Sequence, residues 1–212
     1  ACQQVNQQTW PTVLQNIPTT AGSFIESFDM PEYGGSFIAV ANFGTFQTNY
    51  GANSEIYKWN IATQQFVHFQ DIPTQGGFSI SFLSIPQEAE TPPLYFLGVA
   101  NNCNNACATA DREVDSKIYK FNPSTSIFDE FFSISTHAGI DVESFAIGSK
   151  SFFAFTNYNQ GFTYAINSVV YVWDQETTQF ELFQSIPTIG AVDFEYFEIN
   201  GKHFLVVANA NE

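Results

Sequence analysis

Positive charge is nearly missing from this chain. Of 212 residues, 6 are Lys or Arg and 21 are Asp or Glu, a formal net charge of −15. That balance excludes nucleic acid as a partner, because phosphate binding needs clustered basic side chains. It disfavours anionic membrane surfaces for the same reason. Basic protein patches and divalent cations are favoured instead, and the solubility of an extracellular protein accounts for the same excess. No apolar run is long enough to span a bilayer, so no membrane insertion is expected. No Asn-x-Ser/Thr sequon occurs, so N-glycosylation is not expected. The opening ACQQVNQQTW is polar and uncharged, unlike a signal peptide. It suits a mature chain whose signal has been removed, and equally an internal cut. Catalytic tools are few: 3 His, 6 basic residues and no Gly-x-Ser-x-Gly. General acid–base or phosphate chemistry has little to work with, and the chain is expected not to be an enzyme. His68, His137 and His203 share no short ligand spacing, which argues against zinc.

What the chain does have is repetition. The phrases IPTTAG, IPTQGG, ISTHAG and IPTIGA begin at residues 17, 72, 134 and 186. Each leads to an apolar stretch ending in Asn, at positions 42, 101, 157 and 209, in steps of 59, 56 and 52 residues. Between them recur EIYKWN, KIYKFN and VVYVWD, and then FVHFQDI, IFDEFFSI and FELFQSI. Self-similarity at this period signals a repeat architecture. The 24 Phe, with Val, Tyr, Ile and Trp, concentrate in these phrases and suit half-buried or buried strands. Asn200-Gly201 reads as a two-residue hairpin turn, and Gly34-Gly35 and Gly148-Ser149 hold the same place in other units. Pro73 and Pro187 would each break a ladder bond, so the Ile-Pro-Thr link is a loop between units.

Four antiparallel strands per unit of about fifty residues match a β-propeller blade. A β-sandwich also strings short strands together, but its strands need not resemble one another at a fixed period. Residues 1–212 are read as one all-β propeller region of four-stranded antiparallel blades. The DFEYFEI-type strand is placed at the hub and the FELFQSI-type strand at the rim.

The combined pattern IPTxGAxDxExF, a Gly turn, FLVVAN, a polar loop, S-x-IYKW and F-x-x-FQ-x-I resembles the epilepsy-associated repeat, or EPTP repeat, from about Trp10 onward. The resemblance implies a propeller, normally of seven blades, in secreted or cell-surface proteins, where it serves as a recognition platform for other extracellular proteins. Two departures stand out. About four units are present. The chain also reads as beginning just after an IYKWN-type strand and ending just after HFLVVAN, so one strand of a blade is expected to come from further chain or another subunit, covering an exposed edge.

Candidate sites follow from the repeats. Glu26, Asp141, Glu143, Asp193 and Glu195 recur on the presumed hub strand, where pooled oxygens suit calcium. The competing reading is that each carboxylate binds a neighbouring backbone amide. The second unit breaks the pattern, with Phe78 and Ile80 read in the acidic places. Asp111, Glu113 and Asp115 form a second, weaker cation candidate, lacking the Gly and final Glu of an EF-hand. Cys103 and Cys107 sit in a polar insertion and read as a local disulfide of an oxidising compartment, since zinc needs more Cys or His nearby. Cys2 is then left over. Asn53-Ser54, Asp115-Ser116 and Asn167-Ser168 read as structural turns. The loops after each Asn vary most, and Phe46, Tyr50, Phe162 and Tyr164 are their candidate contact anchors. The expected function is an extracellular protein-binding or adhesive module. The alternative is a carbohydrate-binding, lectin-like propeller or a glycosidase, which would show aromatic platforms at equivalent places in every blade.

Overall fold

Each aromatic or β-branched phrase of the repeat forms a strand, and each Gly, Pro or Asn interruption a turn. The computed structural model describes residues 2–6, 9–44, 51–88, 90–103 and 112–211, with the backbone alone for residues 2–6 and 9–12. The first strands are β1 (Cys2–Asn6), β2 (Thr9–Gln15), β3 (Gly22–Met30), β4 (Gly35–Asn42), β5 (Ser54–Asn60) and β6 (Gln65–Ile72). Then come β7 (Gly77–Ile85), β8 (Leu94–Asn101), β9 (Glu113–Asn122), β10 (Ile127–His137), β11 (Val142–Ile147) and β12 (Lys150–Phe155). The last are β13 (Ser168–Asp174), β14 (Gln179–Ile186), β15 (Ala191–Ile199) and β16 (Lys202–Asn209). Among the described residues the only helical element is a single 3-10 turn, Pro31–Tyr33.

Three four-stranded antiparallel meanders result, ordered β3-β4-β5-β6, β7-β8-β9-β10 and β11-β12-β13-β14, with two-stranded sheets β1-β2 and β15-β16 at either end. These are propeller blades. Strand β3 packs on β7, β7 on β11 and β11 on β15, so the DFEYFEI-type strand is innermost and the FELFQSI-type strand outermost, as the connectivity implied. The sheets do not close into a ring: β15-β16 and β1-β2 remain separate sheets.

One expectation is corrected here. An IYKWN-type strand is present at the start, as β1. Cys2 lies opposite Gln15 as Ile56 lies opposite Gln70, and the register slips at the matching step in both hairpins, Cys2/Gln3 and Ile56/Tyr57. CQQVN lacks apolar alternation, yet its backbone ladder with β2 does not depend on side-chain polarity.

The core lies between blades. Phe28, Phe37 and Ile56 of the first pack against Leu97, Phe121 and Phe128 of the second. Phe96 and Ile118 of the second pack against Phe153, Trp173 and Phe180 of the third. Aromatic stacking crosses the boundaries, with ring centroids 4.4 Å apart for Phe28–Phe82 and 4.8 Å for Phe145–Tyr196. Gly98 interrupts LYFLGVAN because Phe153 of the next blade lies over it: a Cβ there would come within 2.8 Å of the ring. At the third boundary Phe145, Phe152, Phe183, Tyr196 and Phe204 line a cleft of about 310 Å³. At the other two boundaries rings of the following outer hairpin pack on the inner strands: Phe128, beside Phe121, on Phe28, and Trp173 and Phe180 on Phe96.

A polar latch closes each blade on its loops. In the first, Asn42 Nδ2 donates to Asn53 O (2.9 Å), Ser54 Oγ accepts from Asn42 N, and Thr74 Oγ1 meets Ser54 Oγ and donates to Ala52 O. The same bonds join Asn101, Ser116 and Thr136, with Asp115 O and Val114 O as acceptors. They recur at Asn157, Ser168 and Thr188, with Asn167 O and Ile166 O. The Asn Oδ1 accepts a backbone N–H from the incoming inter-blade loop: Thr20, Gln75, His137 and, at Asn209, Ile189. The nine latch residues of the three full blades are buried. The Ser residues are therefore structural, although they act through this latch and not through local turns.

Thr136→Val keeps shape and removes the hydroxyl, leaving Val114 O and Ser116 buried without their partner. Urea denaturation should show a loss of about 1–3 kcal/mol; an unchanged midpoint would mean the latch is ornamental.

Candidate functional site

The hub strands β3, β11 and β15 carry acidic residues at places where β7 carries Ser. Glu26, Ser81, Glu143 and Glu195 hold equivalent places, facing Ala39, Gly98, Ala154 and Val206 across the ladder. Ser79 and Ser81 therefore take the acidic positions of the second blade, not Phe78 and Ile80. The same pairing slip occurs at Gly22/Phe24, Gly77/Ser79 and Ala191/Asp193. Counting from the Ile-Pro-Thr phrase puts Ser79 and Ser81 where Asp193 and Glu195 stand, so Phe78 and Ile80 are one residue out of step.

These side chains brace blade to blade. Glu26 Oε1 accepts from Phe82 N (3.2 Å), Ser81 Oγ from Ser144 N (3.1 Å) and Glu143 Oε1 from Tyr196 N (3.3 Å). Asp141 is buried and bridges three blades: Oδ1 accepts from Ser79 Oγ (2.9 Å) and Oδ2 from Phe194 N (3.0 Å). Asp193 and Glu195 are exposed. The geometry is thus that of backbone acceptors fixing blade placement. The five expected calcium ligands do not come within ligating reach of one another as a group of three among the described residues. The one such group lies at the rim: Glu55, His68 and Asp71. Linear spacing of His missed it, because the ligands meet across two paired strands.

Burial raises the Asp141 and Glu26 carboxyls above their usual range, against the lowering effect of their hydrogen bonds. Glu143 is pushed up to about 7, first by desolvation and then by the charges of Glu195, Asp141 and Glu26, against the Tyr196 N–H bond.

The loop face is defined by fewer residues. Phe46 and Tyr50 lie outside the described residues. Phe162 sits at the tip of a tight hairpin in which Gln160 and Thr163 exchange both backbone bonds, with Gly161 at φ +58°. It is 89% exposed. Tyr164 is half-buried against its own loop, its ring 5.4 Å from that of Tyr158. The two anchors thus separate: Phe162 projects and Tyr164 supports. Of the second cation candidate, Asp111 lies outside the described residues, and Glu113 accepts from Gln160 Nε2 and faces His137. Cys103 is fully buried and disulfide-bonded. Cys107 and the Cys2 side chain lie outside the described residues.

Comparison with known proteins now bears on this arrangement. The EPTP domain family model matches residues 127–174 and 179–212. The first match runs from β10 through β13, so the sequence repeat is offset from the structural blade by one strand. The chain is 34% identical over 202 residues to the human "Thrombospondin-type laminin G domain and EAR repeat-containing protein", covering 92% of this chain and 26% of that protein. The mouse protein of the same description is 35% identical over 185 residues, covering 87% of this chain and 25% of that protein. The chain spans about a quarter of the length of these relatives.

The raised Glu143 gives a testable pH dependence. Between its ordinary value of 4.5 and about 7 the folded protein holds a proton that the unfolded chain has released. That contribution to stability is full below 4.5 and is lost as pH rises through 7. Melting temperature should therefore fall from about pH 5 to 7.5, and fall less in Glu143→Gln; parallel curves would refute the assignment. Repeating the scan in millimolar Ca²⁺ checks the calcium expectation, since a bound cation would favour the ionised carboxylates and remove the fall.

Proposed function

The chain belongs to the EPTP, or epilepsy-associated repeat, family, and from that footing we propose that it is an extracellular protein-binding or adhesive module within a larger secreted or surface assembly. The observation that carries this reading is Phe162: a large apolar side chain, 89% exposed, at the tip of a hairpin held on a rigid propeller. Exposed aromatics on rigid scaffolds supply contact area at little entropic cost, and interface hot spots are enriched in aromatic residues. The strongly acidic surface favours a partner with a basic patch. The names of the human and mouse relatives pair the repeat with a laminin G domain of thrombospondin type, which fits an extracellular setting. No catalytic role is proposed, since the Asp141 and Glu143 carboxylates are occupied in bracing blades.

Screening the immobilised chain against a panel of extracellular domains tests this reading. A partner should emerge whose affinity drops at least tenfold on Phe162→Ala with melting unchanged, as expected for an interface hot spot. Binding confined to a glycan array would replace it with the lectin-like reading.

The disulfide belongs to the same setting. We propose that Cys103 pairs with Cys107, closing the polar loop of the second blade, as oxidising compartments permit. Non-reducing peptide mapping should recover the two cysteines linked; finding Cys107 as a free thiol would refute it.

A further inference from the structure

The outer hairpin of every full blade carries the same bulge. In the first, Ile56 lies opposite Gln70 and Tyr57 opposite His68, so Phe69 is the extra residue. Without it, Phe69 would face Tyr57; with it, His68 does. A bulge re-aims a side chain in this way. Glu55 and Tyr57 share one face of β5, and Asp71 lies directly opposite Glu55. The imidazole is therefore delivered to the face that already holds two carboxylates. Its ring meets that of Tyr57 edge-on at 5.7 Å, and Nε2 lies 2.9 Å from Asp71 Oδ1. Tyr57 Oη donates to Glu55 Oε2 at 2.8 Å.

The same four positions are filled differently elsewhere. The second blade has Lys117, Tyr119, Glu130 and Ser133, where Lys117 Nζ satisfies Glu130 at 2.9 Å and Ser133 Oγ at 2.7 Å. The third has Val169, Tyr171, Leu182 and Ser185. Only the first blade places two carboxylates directly opposite, an arrangement that destabilises a ladder. Among the described residues no Lys or Arg pairs with either one. A local conflict of this kind on an otherwise constant backbone marks a functional position.

We propose that Glu55, His68 and Asp71 form a surface site for a divalent metal of the zinc class. One ligand atom from each lies within 4.8 Å of the others. Tetrahedral Zn²⁺ with ligands at about 2.0–2.2 Å holds them roughly 3.3 Å apart, so side-chain rotation alone closes the set. One imidazole and two carboxylates select zinc over calcium, which prefers six to eight oxygens. The Tyr57 hydroxyl orients the Glu55 carboxylate from outside the ligand set. Three protein ligands leave a fourth position for water or for a group from a partner. The site is separate from the loop face bearing Phe162 and does not depend on the binding reading above.

Calorimetric titration of the intact chain with Zn²⁺ tests the assignment. One saturable site per chain is expected, with Co²⁺ giving the intense visible absorption of a tetrahedral centre. His68→Leu and Glu55→Val copy residues that the third blade carries on the same backbone, so both should fold and melt normally. Each should weaken Zn²⁺ at least tenfold, a typical loss for disturbing a metal site. His137→Ala and His203→Ala should leave it unchanged. No saturable Zn²⁺ binding by the unaltered chain, or undiminished affinity in His68→Leu, would overturn the site.

Discussion

Every blade depends on one buried polar junction, the bonds among the Asn that ends its second strand, the Ser that opens its third and the Thr of the loop that leaves it. Asn42, Asn101 and Asn157 each donate to the residue just before the Ser of the adjacent third strand and accept from the incoming loop. One side chain thus ties the loop entering a blade to the start of its third strand, and the Thr hydroxyl ties the loop leaving it to the same place. Loops between propeller blades carry backbone groups that no ladder satisfies, and burying them unpaired would cost about 1–3 kcal/mol each. The latch satisfies them internally. It also explains the fixed phrases of the sequence, because Ile-Pro-Thr, the terminal Asn and the Ser before IYKW are three parts of one junction.

Blade placement rests on a second repeated device. Glu26, Ser81 and Glu143 each accept the same inner-strand N–H of the following blade. A carboxylate and a hydroxyl serve alike, which shows that the position asks for an acceptor and not for a charge. Asp141 does more, joining β7 and β15 from β11. Apolar packing supplies the adhesion between blades, through stacked pairs such as Phe28–Phe82 and Phe145–Tyr196. Such packing is tolerant of sliding. The directional bonds at the hub set the angle at which one sheet meets the next.

The propeller was legible because its signals are local and repeated: aromatic strands, Asn-Gly and Gly turns, and Pro where a ladder must stop. The order of strands from hub to rim followed from connectivity. The hub places were legible too: counted from the Ile-Pro-Thr phrase, Ser79 and Ser81 fall where Asp193 and Glu195 do, and the hairpins share one pairing slip, so Phe78 and Ile80 are one residue out of step. The bulges of the outer hairpins were not legible. Cys2–Asn6 is not legible as a strand because its pairing with β2 is made by backbone and leaves no apolar pattern. Tyr164 and Phe162 look alike in sequence, and only the turn at Gln160–Thr163 separates the projecting ring from the supporting one. His68 has no ligand spacing along the chain, because its neighbours Glu55 and Asp71 are set by a bulge.

That bulge shows how a repeat fold acquires individual chemistry. The step after Ile56, Ile118 and Val170 slips in all three full blades, so the same four rim positions always meet on one face. Tyr57, Tyr119 and Tyr171 occupy one of them throughout. The other three vary from a carboxylate–imidazole group through a Lys–Glu–Ser set to Val, Leu and Ser, without disturbing strands, latch or hub bonds. The core therefore fixes the Tyr of this hairpin face, which packs inward in each blade, and leaves the three positions around it free to vary. Sites unique to one blade are to be sought at those rim positions and in the loops after each latch Asn. Residues that repeat from blade to blade, acidic or not, belong first to the scaffold.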